Sequence, residues 1–455
     1  MCTGEHCGGV VKRNYTQVRY TMGSGLTKEG LEASPLTTIT EHQGGINCMA
    51  LSEDSSLLVS GSDDRTVHMW STKSEPIENL GVLNGHTGFI QCATVYDTYV
   101  ITGSKDTTIK KWDMATAACE YTYTGHTGRV NRVICSGEFL FSTSHDKTAR
   151  AWLFHTHDVH DPSQACIRVF EGHTGVVSAV IFVPGQDTGV PDDNGFNINP
   201  SDILITASFD NTARVWSFDT AQCLKTFKGH KMPITCMDTD PSGHILYTGS
   251  QDQSIIAWDI TRGTKIKVVE DAHDGAILYL RVVNRLMYTT GTDNYAKCWA
   301  RDGLENTRTY KDHTDSVTAA RFHNGVLYTV CNDGIVRAFD AKSGSLKRKF
   351  LGHKNAVTCL AVCVNQQEDQ VYTRLVTGDN NGILIVWNAT GISSEVPMVT
   401  MDQEYQCKQN QRLEELNQHL DDYVADDPLT KSSTTSLGGG MNTDEIDNLG
   451  IIDDD

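Results

Sequence analysis

No run of apolar residues approaches the length of a bilayer span, and the first residues, Met-Cys-Thr-Gly-Glu-His-Cys-Gly-Gly-Val-Val-Lys-Arg, lack the apolar centre of a secretory signal. Both absences argue against a membrane protein and against an exported one. Paired cysteines are missing too: the fourteen are scattered singly, no Cys-x-x-Cys occurs, and Cys359 and Cys363 have no matching second pair. That excludes a disulfide framework and leaves no spacing for a structural zinc, so neither metal nor cofactor is expected. Positive charge is scarce, with 38 Lys and Arg against 57 Asp and Glu and a net charge of −19. From Met401 onward fourteen acids meet three bases, so −11 of that total belongs to the C-terminal end and the rest of the chain is only mildly acidic. Such a balance repels phosphate backbones. The expectation is a reduced, cytoplasmic protein, with nuclear entry left open and neither nucleic acid nor membrane as partner.

What the chain does have is a repeat. Gly85 to Asp113 reads Gly-His-Thr-Gly-Phe-Ile-Gln-Cys and ends Thr-Gly-Ser-Lys-Asp-Thr-Thr-Ile-Lys-Lys-Trp-Asp. The unit recurs eight times, led by His42, His86, His126, His173, His230, His273, His313 and His353, each followed four residues later by Ile or Val. Each unit closes on an aromatic: Trp70, Trp112, Trp152, Trp216, Trp258, Trp299, Phe339 and Trp387. Ten residues earlier stands a hydroxyl: Ser60, Thr102, Ser142, Thr206, Thr248, Thr289, Thr329 or Thr377. Six residues earlier stands Asp64, Asp106, Asp146, Asp210, Asp252, Asp293 or Asp333, and in the eighth unit Asn381. Short alternating runs such as Thr-Val-His-Met-Trp, broken by Gly and Asp turns, predict antiparallel strands.

The spacing has a physical logic. A Trp buried between strands needs an acceptor for its indole N–H, which the strand hydroxyl can provide, while His and Asp tie the leading loop to the tight turn. A buried Trp removes about 150–250 Å² from water, roughly 4–6 kcal/mol by area, against roughly 1 kcal/mol net for each hydrogen bond. The ring dominates and the polar partners specify geometry. Phe339 cannot donate and Asn381 carries no charge, so units seven and eight are expected to be the softest.

Repeats of this length, with Gly-His near the start and Trp-Asp near the end, mark four-stranded propeller blades. Over roughly residues 33–400 the chain resembles the WD-repeat β-propeller family. The resemblance implies an all-β ring of eight four-stranded blades, with a seven-bladed ring plus one unit outside it as the alternative. It also implies tetrads with a structural role, among them His86/Thr102/Asp106/Trp112, His126/Ser142/Asp146/Trp152, His173/Thr206/Asp210/Trp216 and His230/Thr248/Asp252/Trp258. A His beside an Asp is half of a nucleophilic relay, but eight copies around a ring are mortar, so no enzyme is expected. In such propellers partners commonly meet side chains three and five residues after the His and seven before the Trp. Those offsets select Phe89, Gln91 and Lys105 in unit two, Arg129, Asn131 and His145 in unit three, and Val176 and Phe209 in unit four. Elsewhere the same positions are blander: Gly45, Pro233, Ala276, Ser316 and Ala356.

The family is mostly scaffolds, so the functional expectation is a protein-binding scaffold or adaptor, a monomeric propeller working within a complex. The alternative is a substrate receptor of a ubiquitin ligase. Such receptors often carry an Arg three residues after the Trp of a Trp-Asp pair, where this chain has Ala115 and Thr261.

Residues 1–32 read as a flexible lead-in, with a short strand over Tyr15 to Met22. Pro35 to Thr40 is a candidate outer strand for the last blade, and Glu395 to Met401 competes for that place. Insertions follow Trp152 and span Pro184 to Pro200 and Asn365 to Arg374, all projecting from the face opposite the His and Asp loops. The first carries His155, His157 and His160 with Asp158 and Asp161, which could ligate a metal and more simply form a solvated loop. Residues 401–424 predict an amphipathic helix, with Tyr405, Leu413, Leu416, Leu420 and Val424 on one narrow stripe, and 425–455 a disordered acidic tail.

Overall fold

The computed structural model describes residues 31–155, 162–185, 199–367 and 370–392. Within them the chain forms eight sheets, each a blade of four antiparallel strands. Their first strands are Ile46–Leu51, Ile90–Tyr96, Val130–Ser136, Val177–Val183, Ile234–Thr239, Ile277–Val283, Val317–His323 and Val357–Gln367. Each packs against the next, and the last against the first, so eight blades share one axis and the seven-bladed alternative is excluded. No helix among the described residues is long and apolar enough to cross a membrane.

Blade order explains why the second strands are not simple apolar/polar alternations. Leu57–Ser62, Phe139–Ser144 and Val326–Cys331 are buried along their whole length, because the faces of an inner sheet are both covered by neighbouring blades. Apolar clusters straddle the seams: Trp112 of blade two packs on Val59, Val67 and Met69 of blade one, and Trp258 of blade five on Ile205 and Val215 of blade four. Trp70 packs on Val376, Leu384 and Val386 of blade eight, which seals the ring. No blade could bury its face alone.

The chain's two ends meet in blade eight. Thr37–Ile39 pairs antiparallel with Leu384–Asn388, in the register Thr37 to Val386 and Ile39 to Leu384, and Leu36 N–H donates to Val386 O at 2.8 Å. Just upstream, Glu32–Ala33 runs parallel to Leu346–Leu351, adding a fifth strand to blade seven that sequence reasoning did not foresee. That strand starts one residue inside the span read as lead-in. Tyr15 to Met22 and Glu395 to Met401 lie outside the described residues, as do residues 401–424 and 425–455. The propeller lies within Met1–Glu395.

The insertion in unit eight is a long hairpin, Val357–Gln367 paired with Gln370–Asp379. Its polar residues serve the ring: Asn365 Nδ2 donates to Thr72 O at 2.6 Å, and Arg374 Nη1 donates to Thr72 O at 3.1 Å and Ser74 O at 2.8 Å. Both side chains are buried against blade one, on the other side of the closing seam.

Candidate functional site

The tetrads form continuous donor chains. The indole N–H of each of the seven Trp donates to its strand hydroxyl at 2.8–2.9 Å. An ionised carboxylate can only accept, so His Nδ1–H donates to it at 2.7–3.0 Å in blades one to six and eight, which leaves Nε2 of the neutral ring to accept from the strand hydroxyl at 2.8 Å. Burial drives the His126 and His230 imidazoles below their ordinary range despite the paired Asp146 and Asp252, so they sit neutral in this tautomer. Burial also opposes the charge of Asp106, Asp146 and Asp210, but the hydrogen bonds from the paired His and the following Thr outweigh it and hold these carboxyls well below the usual range. The glycine two residues after the His has a steric cause: a Cβ on Gly88 would lie 2.5 Å from Asp106 N.

Units seven and eight depart from expectation in opposite ways. In unit eight Asn381 is exposed and takes no part; Asp379, two residues upstream, accepts from His353 Nδ1 at 2.9 Å. Asp379 stands where other units have Ser62, Ser104, Ser144, Ser208 or Ser250, at the end of the second strand, so this tetrad is complete and the expectation of a weakened unit eight is corrected. In unit seven Phe339 supplies no N–H, and His313 Nδ1 makes no hydrogen bond to Asp333. Arg337 takes the carboxylate instead, with Nη2 at 2.8 Å and Nη1 at 3.1 Å, and its Nε donates to Asp312 at 3.0 Å. Burial, reinforced by the Arg337 charge, lowers the His313 pKa to about 4.

The position five residues after the His turns out to be largely structural. Asn131 Nδ2 donates to Val177 O of the next blade at 2.8 Å. Asn47, Ser178, Thr235, Thr318 and Thr358 make the same kind of bond to Ile90, Ile234, Ile277, Val357 and Ile46, the last across the closing seam. Asn131 is therefore a seam clasp. The recurrence of amides and hydroxyls at this offset is the signal that could have found it. Gln91 lines the central channel instead.

The remaining six rim residues come together as neighbouring pairs on one face. Backbone hydrogen bonds join Lys105 N–H to Phe89 O, His145 N–H to Arg129 O and Phe209 N–H to Val176 O, at 2.8–2.9 Å. Phe89 is 36% exposed with the Lys105 ammonium 4.9 Å from its ring centre, and Phe209 is 43% exposed. Arg129 and His145 are exposed and Val176 is half-buried. Met232, exposed in the loop leading into blade five, adds an apolar side chain that sequence reasoning missed. Blades two to four thus carry an arc of exposed aromatics and cations on an acidic chain, the kind of surface that anchors a partner through Arg and aromatic contacts. His155 is exposed, whereas His157, His160, Asp158 and Asp161 lie outside the described residues, as do residues 186–198 of the unit-four insertion. No group of ligating side chains that could hold a metal ion occurs among the described residues.

A closed ring of eight four-stranded blades, whose His and Asp are paired within the blade in seven of them, defines a β-propeller of repeated units. The chain belongs to the WD40 family: the model of the WD domain, G-beta repeat, matches residues 33–71, 77–113, 117–152, 164–217, 221–259 and 344–388. It is 25% identical over 339 residues to the kinesin-like protein KIF21A of Homo sapiens, covering 70% of this chain and 19% of that one. It is 29% identical over 260 residues to the nuclear distribution protein PAC1 of Arthroderma otae, covering 53% of this chain and 55% of that protein. Mitochondrial division protein 1 of Mycosarcoma maydis is 27% identical, over 71% of this chain and 38% of its own length. The chain thus spans between about a fifth and little more than half of these relatives. Two solved structures share the fold: the computationally designed Ika8 protein, with a TM-score of 0.63 and 23% identity, and Saccharomyces cerevisiae Sqt1, with 0.68 and 16%. Each covers 79% of this chain and is itself covered completely.

Proposed function

We propose that this chain is a non-enzymatic scaffold that binds segments of other proteins on the face carrying Phe89, Lys105, Arg129, His145 and Phe209. The observation that carries the reading is that, at the positions three residues after the His and seven before the aromatic, exposed aromatic and cationic side chains fall in three consecutive blades and in none of the other five. Relatives named for nuclear distribution and mitochondrial division support an adaptor's role. The reading includes a cytoplasmic protein that enters complexes as a single copy, binds neither nucleic acid nor membrane, and within the family is akin to WD repeat-containing protein 86.

The arc suits an acidic segment with apolar residues, since the Lys105 ammonium lies over the Phe89 ring and the exposed Arg129 belongs to the blade between those of Phe89 and Phe209. Crosslinking and affinity capture with the parent chain, Phe89→Ala, Arg129→Glu and Phe209→Ala test it. Partners captured by the parent are expected to be lost from each variant and kept by Lys342→Gln, an exposed residue on an outer turn. Undiminished capture by the three rim variants would sink the assignment.

A further inference from the structure

The first strands enclose a central channel with a cavity of about 680 Å³, within the range that small-molecule sites occupy. Two arginines line it: Arg132 from blade three and Arg321 from blade seven. In a ring of eight these blades stand four apart, so the two side chains enter from opposite walls. Both are exposed, and neither makes a hydrogen bond or ion pair among the described residues. Tyr279 of blade six lines the same cavity, half-buried and within electrostatic reach of Arg321 and Arg132 and of the Arg281–Asp238 pair. None of the lining residues is Asp or Glu, in a chain with 57 acids against 38 bases. Arg281, by contrast, is paired with Asp238 at 3.6 Å and lines a separate depression.

Two guanidiniums facing one space whose lining holds no carboxylate make it favourable to an anion. Guanidinium forks match phosphate oxygens with paired donors. The depth also bears on size. Arg132 and Arg321 lie six and eight residues after their leading His, farther along the strand than the rim residues at three, so a segment laid across the rim meets Arg129 and Lys105 first. We propose that the channel is an anion site for a small molecule bearing two or more phosphate groups, gripped from opposite walls by Arg132 and Arg321, with the Tyr279 hydroxyl donating to it.

Calorimetric titration of the full chain with inorganic tripolyphosphate tests this. One saturable site per chain is expected, weakened at least about tenfold by Arg132→Gln and by Arg321→Gln, as the loss of a charge-assisted contact implies. Lys342→Gln should leave the affinity unchanged, and both arginine variants without ligand should melt at or above the parent's temperature. Three results would overturn the proposal: no saturable binding, binding indifferent to both arginines, or displacement of tripolyphosphate by a lower concentration of a poly-Asp peptide acting through the same two residues.

Discussion

Replacing Arg337 with Met isolates what the altered tetrad of blade seven contributes. The side chain is 1% exposed, and its guanidinium also donates to the Ile335 and Asp312 carbonyls, at 3.1 and 2.9 Å. Methionine retains most of the apolar stem, so the cavity term is small and the loss is chiefly electrostatic. Removing one partner of a buried ion pair costs about 3–5 kcal/mol. Asp333 keeps donors in Thr314 N–H at 3.1 Å and Ile335 N–H at 2.9 Å, and Asp312 keeps Lys349 at 2.8 Å, which places this case at the lower end. The expected loss is about 3 kcal/mol, roughly a hundredfold in the folding equilibrium. The comparison is Arg150→Met, two residues before Trp152 as Arg337 is before Phe339. The Arg150 guanidinium lies 5.9 Å from the Trp152 ring centre, an interaction worth about 1 kcal/mol or less at such a site. Urea denaturation of both variants, read as midpoint shifts at constant slope, separates the two roles. Equal losses, or an Arg337→Met loss under about 1 kcal/mol, would refute the view that Arg337 replaces the imidazole as the partner of Asp333.

The register correction in blade eight gives a second test: Asp379→Ala should cost about 2–3 kcal/mol by orphaning the His353 Nδ1–H and two turn amides, and Asn381→Ala less than about 0.5 kcal/mol. The reverse order in urea midpoints would restore Asn381 as the tetrad member. Stability should also depend on pH with a definite sign. His313 titrates near 4 in the fold against an ordinary 6.5, so unfolding takes up its proton between those values; its contribution is complete above pH 6.5 and is lost as pH falls towards 4. His126 and His230 act in the same direction, and Asp64, held at about 2 against burial by its hydrogen bonds, adds a further loss between about pH 4 and 2. A urea midpoint unchanged from pH 7.5 to 5 would contradict the neutral, buried state of these imidazoles.

What the sequence made legible is what recurs. Eight leading histidines, five of them in Gly-His pairs, and their aromatics set the blade count, and the ten-residue offset placed every hydroxyl that accepts an indole N–H. Asp379 was missed because its carboxylate moved two residues along the strand, which keeps the side chain on the same face while breaking the offset. Asn365 and Arg374 were visible only as extra length, since their partner Thr72 is about three hundred residues away in the chain. Asn131 has the polarity of a binding residue, and what reassigns it is a backbone carbonyl of the next blade, which has no signature in residue type.

The same contrast locates where this propeller is individual. Wherever a residue type repeats around the ring, it answers to the blade: the imidazoles of seven blades are spent on turns, the hydroxyls and amides on tetrads and seams, and Cys48, Cys92, Cys236 and Cys359 are thiols that burial raises far from reactivity. Residues that break the repeat are free of that duty. Arg132 stands where four other blades have those cysteines, and Phe89 where others have Gly45, Ala276 or Ala356. On the proposed reading, binding is what these exposed charged and aromatic side chains serve. Rim and channel are therefore separable: Arg129→Glu should leave tripolyphosphate affinity within about twofold of the parent, because its charge lies outside the channel lining. A loss as large as that of Arg132→Gln would merge the two surfaces into one site.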